Sequence, residues 1–289
     1  MNTQAVKYQT VKIHDLNVFY RESGPAEAPV VLLLHGFPTS SHMYRNLIPL
    51  LNKEFHVIAP DLIGFGFSDA PDHRQFTYTF DNLTHYVQGL IDALGLKKFA
   101  IQVFDYGAPV GYRLAVANPE KITAIISQNG NAYEDGLSDG WNPIRKYWLD
   151  PSEENRNNLK AFTTAESTQW QYLHGVSDKT LVAPESYLLD QVLLDRKGNV
   201  DLQLDLFRDY ASNVALYPRF HQYFREYQPA FLAVWGDKDP FFLPAGAEAF
   251  KKDLPNAIVK FFDTGHFALE THVQEIGEGI RIFLKSILK

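Results

Sequence analysis

Residues 28–35, Ala-Pro-Val-Val-Leu-Leu-Leu-His, are apolar at successive positions rather than at alternate ones. A short run of that kind, closed here by Gly36, predicts a strand covered on both faces. The signature recurs at 55–61, 99–104, 122–127, 229–235 and 257–262. Between these runs the spacing changes. Leu83, Val87, Leu90, Ile91 and Leu94 share one helical face over 80–96. Further helices are predicted over 41–52, 108–117, 244–254 and 272–288. Residues 7–22 alternate more and suit an antiparallel pair at a sheet edge. Strands apolar on both faces, alternating with helices, predict an α/β chain built on a mostly parallel twisted sheet with helices on both sides.

The alternation stops over 131–225, which reads as helices and loops. That stretch holds Trp141, Trp148 and Trp170, three of the four Trp, and seven of the fifteen Tyr. Such side chains join an apolar body to one polar tip. Their concentration here suggests either the wall of an apolar pocket or packing of the insertion on the sheet. The expected organisation is a core over 1–130, a helical cap over 131–225 and the second part of the core over 226–289.

Composition narrows the chemistry. Hydrophobic residues make up 45% and charged residues 21% of 289, so the chain is globular rather than disordered. With 27 Lys and Arg against 34 Asp and Glu, the net charge is −7. An acidic chain without a basic run is not expected to bind nucleic acid or an anionic membrane. Cysteine is absent, which excludes disulfides, thiolate catalysis and thiolate metal sites. No His, Asp or Glu spacing suggests a metal site, and no cofactor is expected. Residues 1–20 lack an apolar core of signal-peptide length, so the expectation is a cytoplasmic protein, monomeric or homodimeric.

Function in an open parallel sheet collects at the carboxyl ends of the strands, and four ends are chemically loaded. Phe99-Ala-Ile-Gln-Val-Phe-Asp105-Tyr-Gly107 runs from a buried strand through Asp105 into a helix. That is the layout of a nucleophile elbow, although Asp105 could instead cap the helix. His35-Gly36-Phe37-Pro38 follows the earlier strand. The backbone N–H groups of Phe37 and Tyr106 could form an oxyanion hole. Trp235-Gly-Asp237-Lys-Asp239-Pro240 offers an acid to orient a histidine; Asp239 is preferred because it projects from the loop, with Asp237 the alternative. Asp263-Thr-Gly-His266-Phe267 closes the last strand. Nucleophile, acid and histidine then fall in the chain order of a known hydrolase architecture.

With these residues assembled, the chain resembles α/β-hydrolases over nearly its full length. It resembles their aspartate-nucleophile branch, which includes haloalkane dehalogenases, epoxide hydrolases and fluoroacetate dehalogenases. His35-Gly-Phe-Pro-Thr-Ser-Ser41, Ala59-Pro-Asp-Leu-Ile-Gly-Phe-Gly-Phe-Ser-Asp69 and Asp105-Tyr-Gly107 carry the resemblance. It implies that Asp105 attacks a saturated carbon and that His266, oriented by Asp239, activates the water that hydrolyses the resulting ester.

The resemblance departs from each subfamily at the leaving-group donors. Haloalkane dehalogenases commonly have Trp after the nucleophile and Asn after His-Gly, where this chain has Tyr106 and Phe37. Tyr217, in Leu216-Tyr-Pro-Arg219, falls where epoxide hydrolases place a second cap tyrosine, and Trp170 falls near the first, with Tyr172 two residues on. Trp170 and Tyr217, with Gln169, also resemble the halide-binding group of fluoroacetate dehalogenases. Those enzymes follow the nucleophile with an arginine for the substrate carboxylate; Tyr106 cannot replace it. Asn129 is a further potential donor to a halide. Indole N–H donates a hydrogen bond but is a poor acid, so Trp170 tilts the expectation toward carbon–halogen cleavage; if Tyr172 turns into the pocket instead, epoxide opening regains its acid pair and stands as the alternative. A small apolar organic molecule and water are the expected partners. Strained-lactone hydrolysis and a receptor that has lost turnover are rival readings.

Overall fold

A computed structural model describes residues 5–288; residues 1–4 and 289 of the expected core segments lie outside it. Eight strands, β1 (Lys7–Ile13), β2 (Leu16–Ser23), β3 (Val30–Leu34), β4 (His56–Pro60), β5 (Phe99–Phe104), β6 (Ile122–Gln128), β7 (Phe231–Gly236) and β8 (Ile258–Phe262), form one sheet in the order β1-β2-β4-β3-β5-β6-β7-β8. The first two strands pair antiparallel, β2 pairs antiparallel with β4, and the rest run parallel. The alternating run and the doubly apolar runs thus take the places their patterns predict, except that β8, at the sheet edge, is exposed or half-buried at every position rather than covered on both faces.

Side chains along the central strands feed two cores in turn. Leu32 and Leu34 of β3 and Ile101 and Val103 of β5 face one layer, while Val31, Leu33, Ala100 and Phe104 face the other. This period of two is the strand pleat expressed as burial. It explains why these strands tolerate almost no polar residue.

Among the described residues there are ten α-helices: α1 (Ile48–Leu51), α2 (Phe80–Ala93), α3 (Gly107–Ala117), α4 (Asn142–Leu149), α5 (Glu153–Asn158), α6 (Ala165–Leu173), α7 (Pro184–Leu194), α8 (Asn199–Tyr227), α9 (Pro244–Ala249) and α10 (Ala268–Ile287). The first layer packs α2, α3 and α8 on the sheet; the second packs α1 and α10. Several helices depart from the expected bounds: α2 ends at Ala93 rather than 96, and α9 ends at Ala249 and passes into a 3₁₀ turn at Phe250–Lys252. The single helix expected over 41–52 is a 3₁₀ turn at Ser41–Tyr44 followed by the short α1. The last helix begins at Ala268, and its backbone leaves helical geometry at His272. His272 is where the apolar periodicity resumes, so the pattern marked the kink rather than the start.

Between β6 and β7 the described chain is helical apart from an isolated bridge between Leu137 and Phe242. Helix α8 ties this segment to the sheet layer. Arg113 of α3, nearly buried, donates to Asn213 at 2.6 Å and Ser212 at 3.1 Å. Arg156 of α5 pairs with Asp205 of α8 at 2.7 Å. No described helix is long and apolar enough to cross a membrane.

Candidate active site

The β5–α3 turn puts Asp105 in a left-handed backbone conformation, φ +47°. A non-glycine residue there is strained; the turn holds because the chain must pass from a buried strand directly into a buried helix. Its neighbours must be small. A side chain at Gly107 would run into the Leu34 carbonyl, and one at Gly36 into the Asp105 carboxylate and the Tyr106 N–H. The glycines noted in the sequence are therefore clearance for the elbow.

Asp105 is buried. Its Oδ1 accepts the Phe37 backbone N–H at 2.6 Å, and the Tyr106 N–H also donates to the carboxylate. Burial pushes its pKa up to about 6, against the opposing pull of the His266 charge and the two N–H groups. The carboxylate is thus held on two backbone donors at the start of α3, an arrangement that could serve a nucleophile and an oxyanion alike.

His266, from the loop after β8, is 1% exposed and packed among Phe104, Phe241, Phe242 and Phe267. Its Nδ1 lies 2.7 Å from Asp239 Oδ2, and its Nε2 lies 3.9 Å from Asp105 Oδ2. With Nδ1–H donated to Asp239, the neutral ring turns the Nε2 lone pair toward Asp105. The gap exceeds a direct hydrogen bond and leaves Nε2 free for another hydrogen-bonding partner. Burial lowers the His266 pKa, but the Asp239 and Asp105 charges outweigh it and the net shift is upward.

Asp239 is fully engaged. Its Oδ1 accepts the N–H groups of Phe241 at 2.8 Å and Phe242 at 3.1 Å. Its Oδ2 accepts from His266 and from Asn129 Nδ2, the latter at 2.7 Å. Asp237 is exposed. Asn129 itself sits at φ +44° and receives the Gly236 N–H on its side-chain oxygen at 3.0 Å. It is thus directed at the acid and at the end of β7, rather than free to meet a halide. His35 accepts the Leu62 N–H at 2.9 Å, and Asp61 accepts from Ser41 and Phe67, each at 2.7 Å. The 35–41 and 59–69 motifs are therefore loops stitched together behind the elbow.

Asp105 and His266 open onto a tight cavity of about 30 Å³, lined also by Phe37, Tyr106, Trp141, Ile144, Phe162, Gln171, Phe207 and Phe241. Three of these aromatics, Trp141, Phe162 and Phe207, come from the 131–225 segment, but of its Trp and Tyr residues only Trp141 lines the cavity. The expected leaving-group donors fall elsewhere. Gln169 is exposed, and Trp170 is 46% exposed, with its ring against His174. Tyr172 is buried but stacks on Phe267 and donates to Asp190 at 2.5 Å. Tyr217 accepts from Asn131 at 3.3 Å and is outside the cavity lining.

The polar residue that α6 contributes to the lining is Gln171, which the sequence reading passed over. Successive residues of a helix point about 100° apart, so Trp170 and Tyr172 cannot share its direction. Among the described residues, no group of three or more His, Asp or Glu could hold a metal ion.

Residues 29–273 match the family model of the α/β hydrolase fold. The chain is 46% identical to an uncharacterized hydrolase of Saccharomyces cerevisiae over 97% of this chain and 98% of that one. It is 42% identical to a haloalkane dehalogenase of Bradyrhizobium diazoefficiens, but over 106 residues, 37% of this chain and 33% of the relative. Among solved structures, the haloalkane dehalogenase DbeA of Bradyrhizobium elkani superposes with a TM-score of 0.79 at 23% identity, covering 98% of this chain and 99% of that one. Cfl2 of Burkholderia cenocepacia superposes at 0.81 with 20% identity, covering 96% and 95%. At such identities these two structures speak to the fold alone. The sheet order, the elbow and the family match agree: the chain belongs to the α/β-hydrolase fold family and is an enzyme of it, with haloalkane dehalogenases among its relatives.

Proposed function

We propose that the protein hydrolyses a small apolar alkyl halide through a covalent ester on Asp105. The observation that carries this reading is the arrangement of one carboxylate: Oδ1 on the Phe37 N–H, Oδ2 facing His266 Nε2. Oδ2 attacks the carbon, a C–O bond forms, and the halide leaves with the electron pair of the C–halogen bond. Water then attacks the ester carbon, and His266 takes its proton while Asp239 stabilises the imidazolium. The oxyanion collects on the Phe37 and Tyr106 N–H groups. The products are an alcohol, a halide ion and a proton, and Asp105 is regenerated. The helical segment over 131–225 acts as the cap that excludes bulk water. The name of the partial relatives supports carbon–halogen chemistry.

Epoxide opening is the second reading, and Tyr106 favours it. Its hydroxyl is buried, has no hydrogen-bond partner among the described residues, and belongs to a residue lining the cavity. Burial keeps that phenol protonated. A protonated phenol can donate to the opening oxygen of an epoxide, which must gain a proton, whereas a halide need not.

Intact-mass measurement on His266→Phe tests both. Removing the base strands the ester. Incubation with bromoalkanes is expected to add the alkyl mass without the bromine. Addition of a whole epoxide mass instead would establish the second reading. No adduct from either panel in a folded variant would remove Asp105 as nucleophile.

A further inference from the structure

The side chains around the cavity leave few hydrogen-bond donors. Trp141 Nε1 already donates to the Phe241 carbonyl at 3.1 Å, and His266 Nδ1 is committed to Asp239. Phe37, Ile144, Phe162, Phe207 and Phe241 bring no polar side chain. Two donors remain, the Tyr106 hydroxyl and Gln171 Nε2. Gln171 is 2% exposed, and its amide nitrogen has no hydrogen-bond partner among the described residues.

Burying an amide N–H₂ without a partner costs on the order of 1–3 kcal/mol. An aliphatic side chain of similar size would avoid that cost in a pocket this apolar. The amide also sits on a helix whose adjacent aromatic residues do not line the cavity: Trp170 is half-exposed against His174 and the edge of Phe241, and Tyr172 stacks on Phe267. Unpaired polarity at a cavity wall is accounted for when the missing partner is the reacting molecule. A primary amide donates strongly to an anion but is no acid. It therefore suits a leaving group that departs as an anion and takes no proton.

We infer that Gln171 is the cap donor to the departing halide, binding it through Nε2 as the C–halogen bond breaks. This rests on the displacement reading given above. Asp105 attacks on one side of the carbon, the halide leaves on the other, and Gln171 shares a proton with it through a hydrogen bond without transferring it. A hydrogen bond to a charged group is worth more than one to a neutral group, so the contact strengthens as negative charge develops and lowers the barrier.

The test uses the trapping background. Rates of adduct formation by His266→Phe and by His266→Phe/Gln171→Leu are compared by quenched intact mass on 1-chlorobutane, 1-bromobutane and 1-iodobutane. Loss of the donor is expected to slow adduct formation by on the order of 10–100-fold. The loss should be largest for chloride, which leaves least readily and accepts the strongest hydrogen bond, and smallest for iodide. The melting temperature should hold or rise, because Leu removes a buried unpartnered amide; a merely structural Gln171 would lower it. If Gln171→Leu does not fold, Gln171→Met serves the same comparison. Adduct at equal rates in both proteins overturns the assignment of Gln171 alone. Uniform slowing across the three halides overturns it as well, since it points to a misplaced substrate. No adduct even with Gln171 intact overturns the displacement reading and the assignment together.

Discussion

In the proposed reaction Asp105 and His266 have opposite requirements. The displacement needs Asp105 ionised; the hydrolysis needs His266 neutral. Burial raises Asp105 to about 6, while Asp239 and Asp105 hold His266 above its ordinary value. The covalent step reconciles them. Once Asp105 is esterified its charge is gone, and one of the two charges that favour protonated His266 disappears with it. The histidine is then released toward its neutral, basic form at the moment it must accept a proton. The sign for the first step follows directly. Below its pKa Asp105 carries a proton and cannot attack, so the rate of adduct formation should fall about tenfold per pH unit on the acid side. In His266→Phe the imidazolium that lowers the Asp105 pKa is absent, so the midpoint should lie at or above about 6. A profile of adduct formation from pH 5 to 8 by intact mass checks this; a flat profile would mean that another group, or another step, sets the rate.

At the scale of elements, the strands were readable because burial on both faces leaves a plain mark, a run of apolar residues ended by Gly or a polar turn. Asp105, Asp239 and His266 were readable because each stands just past such a run. Helix α6 was not. It has nine residues with aromatic and polar positions intermixed, and a shift of one residue swings the side chain by about 100°. That is the difference between Trp170 at the surface and Gln171 in the cavity.

Tyr172 escaped for another reason: its partners come from distant parts of the chain. Its hydroxyl meets Asp190 of α7, close to where Arg45 forms a bidentate pair with Glu270 of α10 at 3.0 and 2.7 Å and reaches Ser186 of α7 at 3.3 Å. This cluster joins the helical segment to the sheet domain. Burial pushes Asp190 up to about 8. A carboxyl with a folded pKa above its unfolded one contributes stability below the unfolded value and loses it as pH rises through the folded one. The window here runs from about 4 to about 8. Wild type should therefore lose melting temperature between pH 5 and 8, and Asp190→Asn, which has no proton to lose, should lose less. Parallel melting curves at pH 5, 6.5 and 8 decide it; equal slopes would remove Asp190 as the titrating group.

At the scale of the whole molecule, the sheet carries the groups proposed to react and a helical layer shapes the space above them. The division places precision and selectivity in different parts of the chain. Strand ends held by backbone hydrogen bonds fix Asp105, Asp239 and His266 relative to one another. Side chains from the helical segment set how much can fit beside them. The cavity of about 30 Å³ has room for about two water molecules, so short substrates should fit with the least displacement of the aromatic wall. Phe162 is the part of that wall least tied to the sheet. It is half-buried, sits in a 3₁₀ turn (Leu159–Thr163), and packs against Phe207 and Phe241 with ring centroids 5.8 and 6.5 Å away. Phe162→Ala should enlarge the cavity while leaving the triad spacing intact. Each accommodated methylene is worth ~0.8 kcal/mol of binding, so the ratio of kcat/KM for 1-bromohexane over bromoethane should rise by at least about 10-fold. The pH dependence of adduct formation should stay where it is, because no charged group has moved. An unchanged ratio in a folded Phe162→Ala protein would show that chain length is sensed elsewhere, with Ile144 and Phe207 the next side chains to truncate.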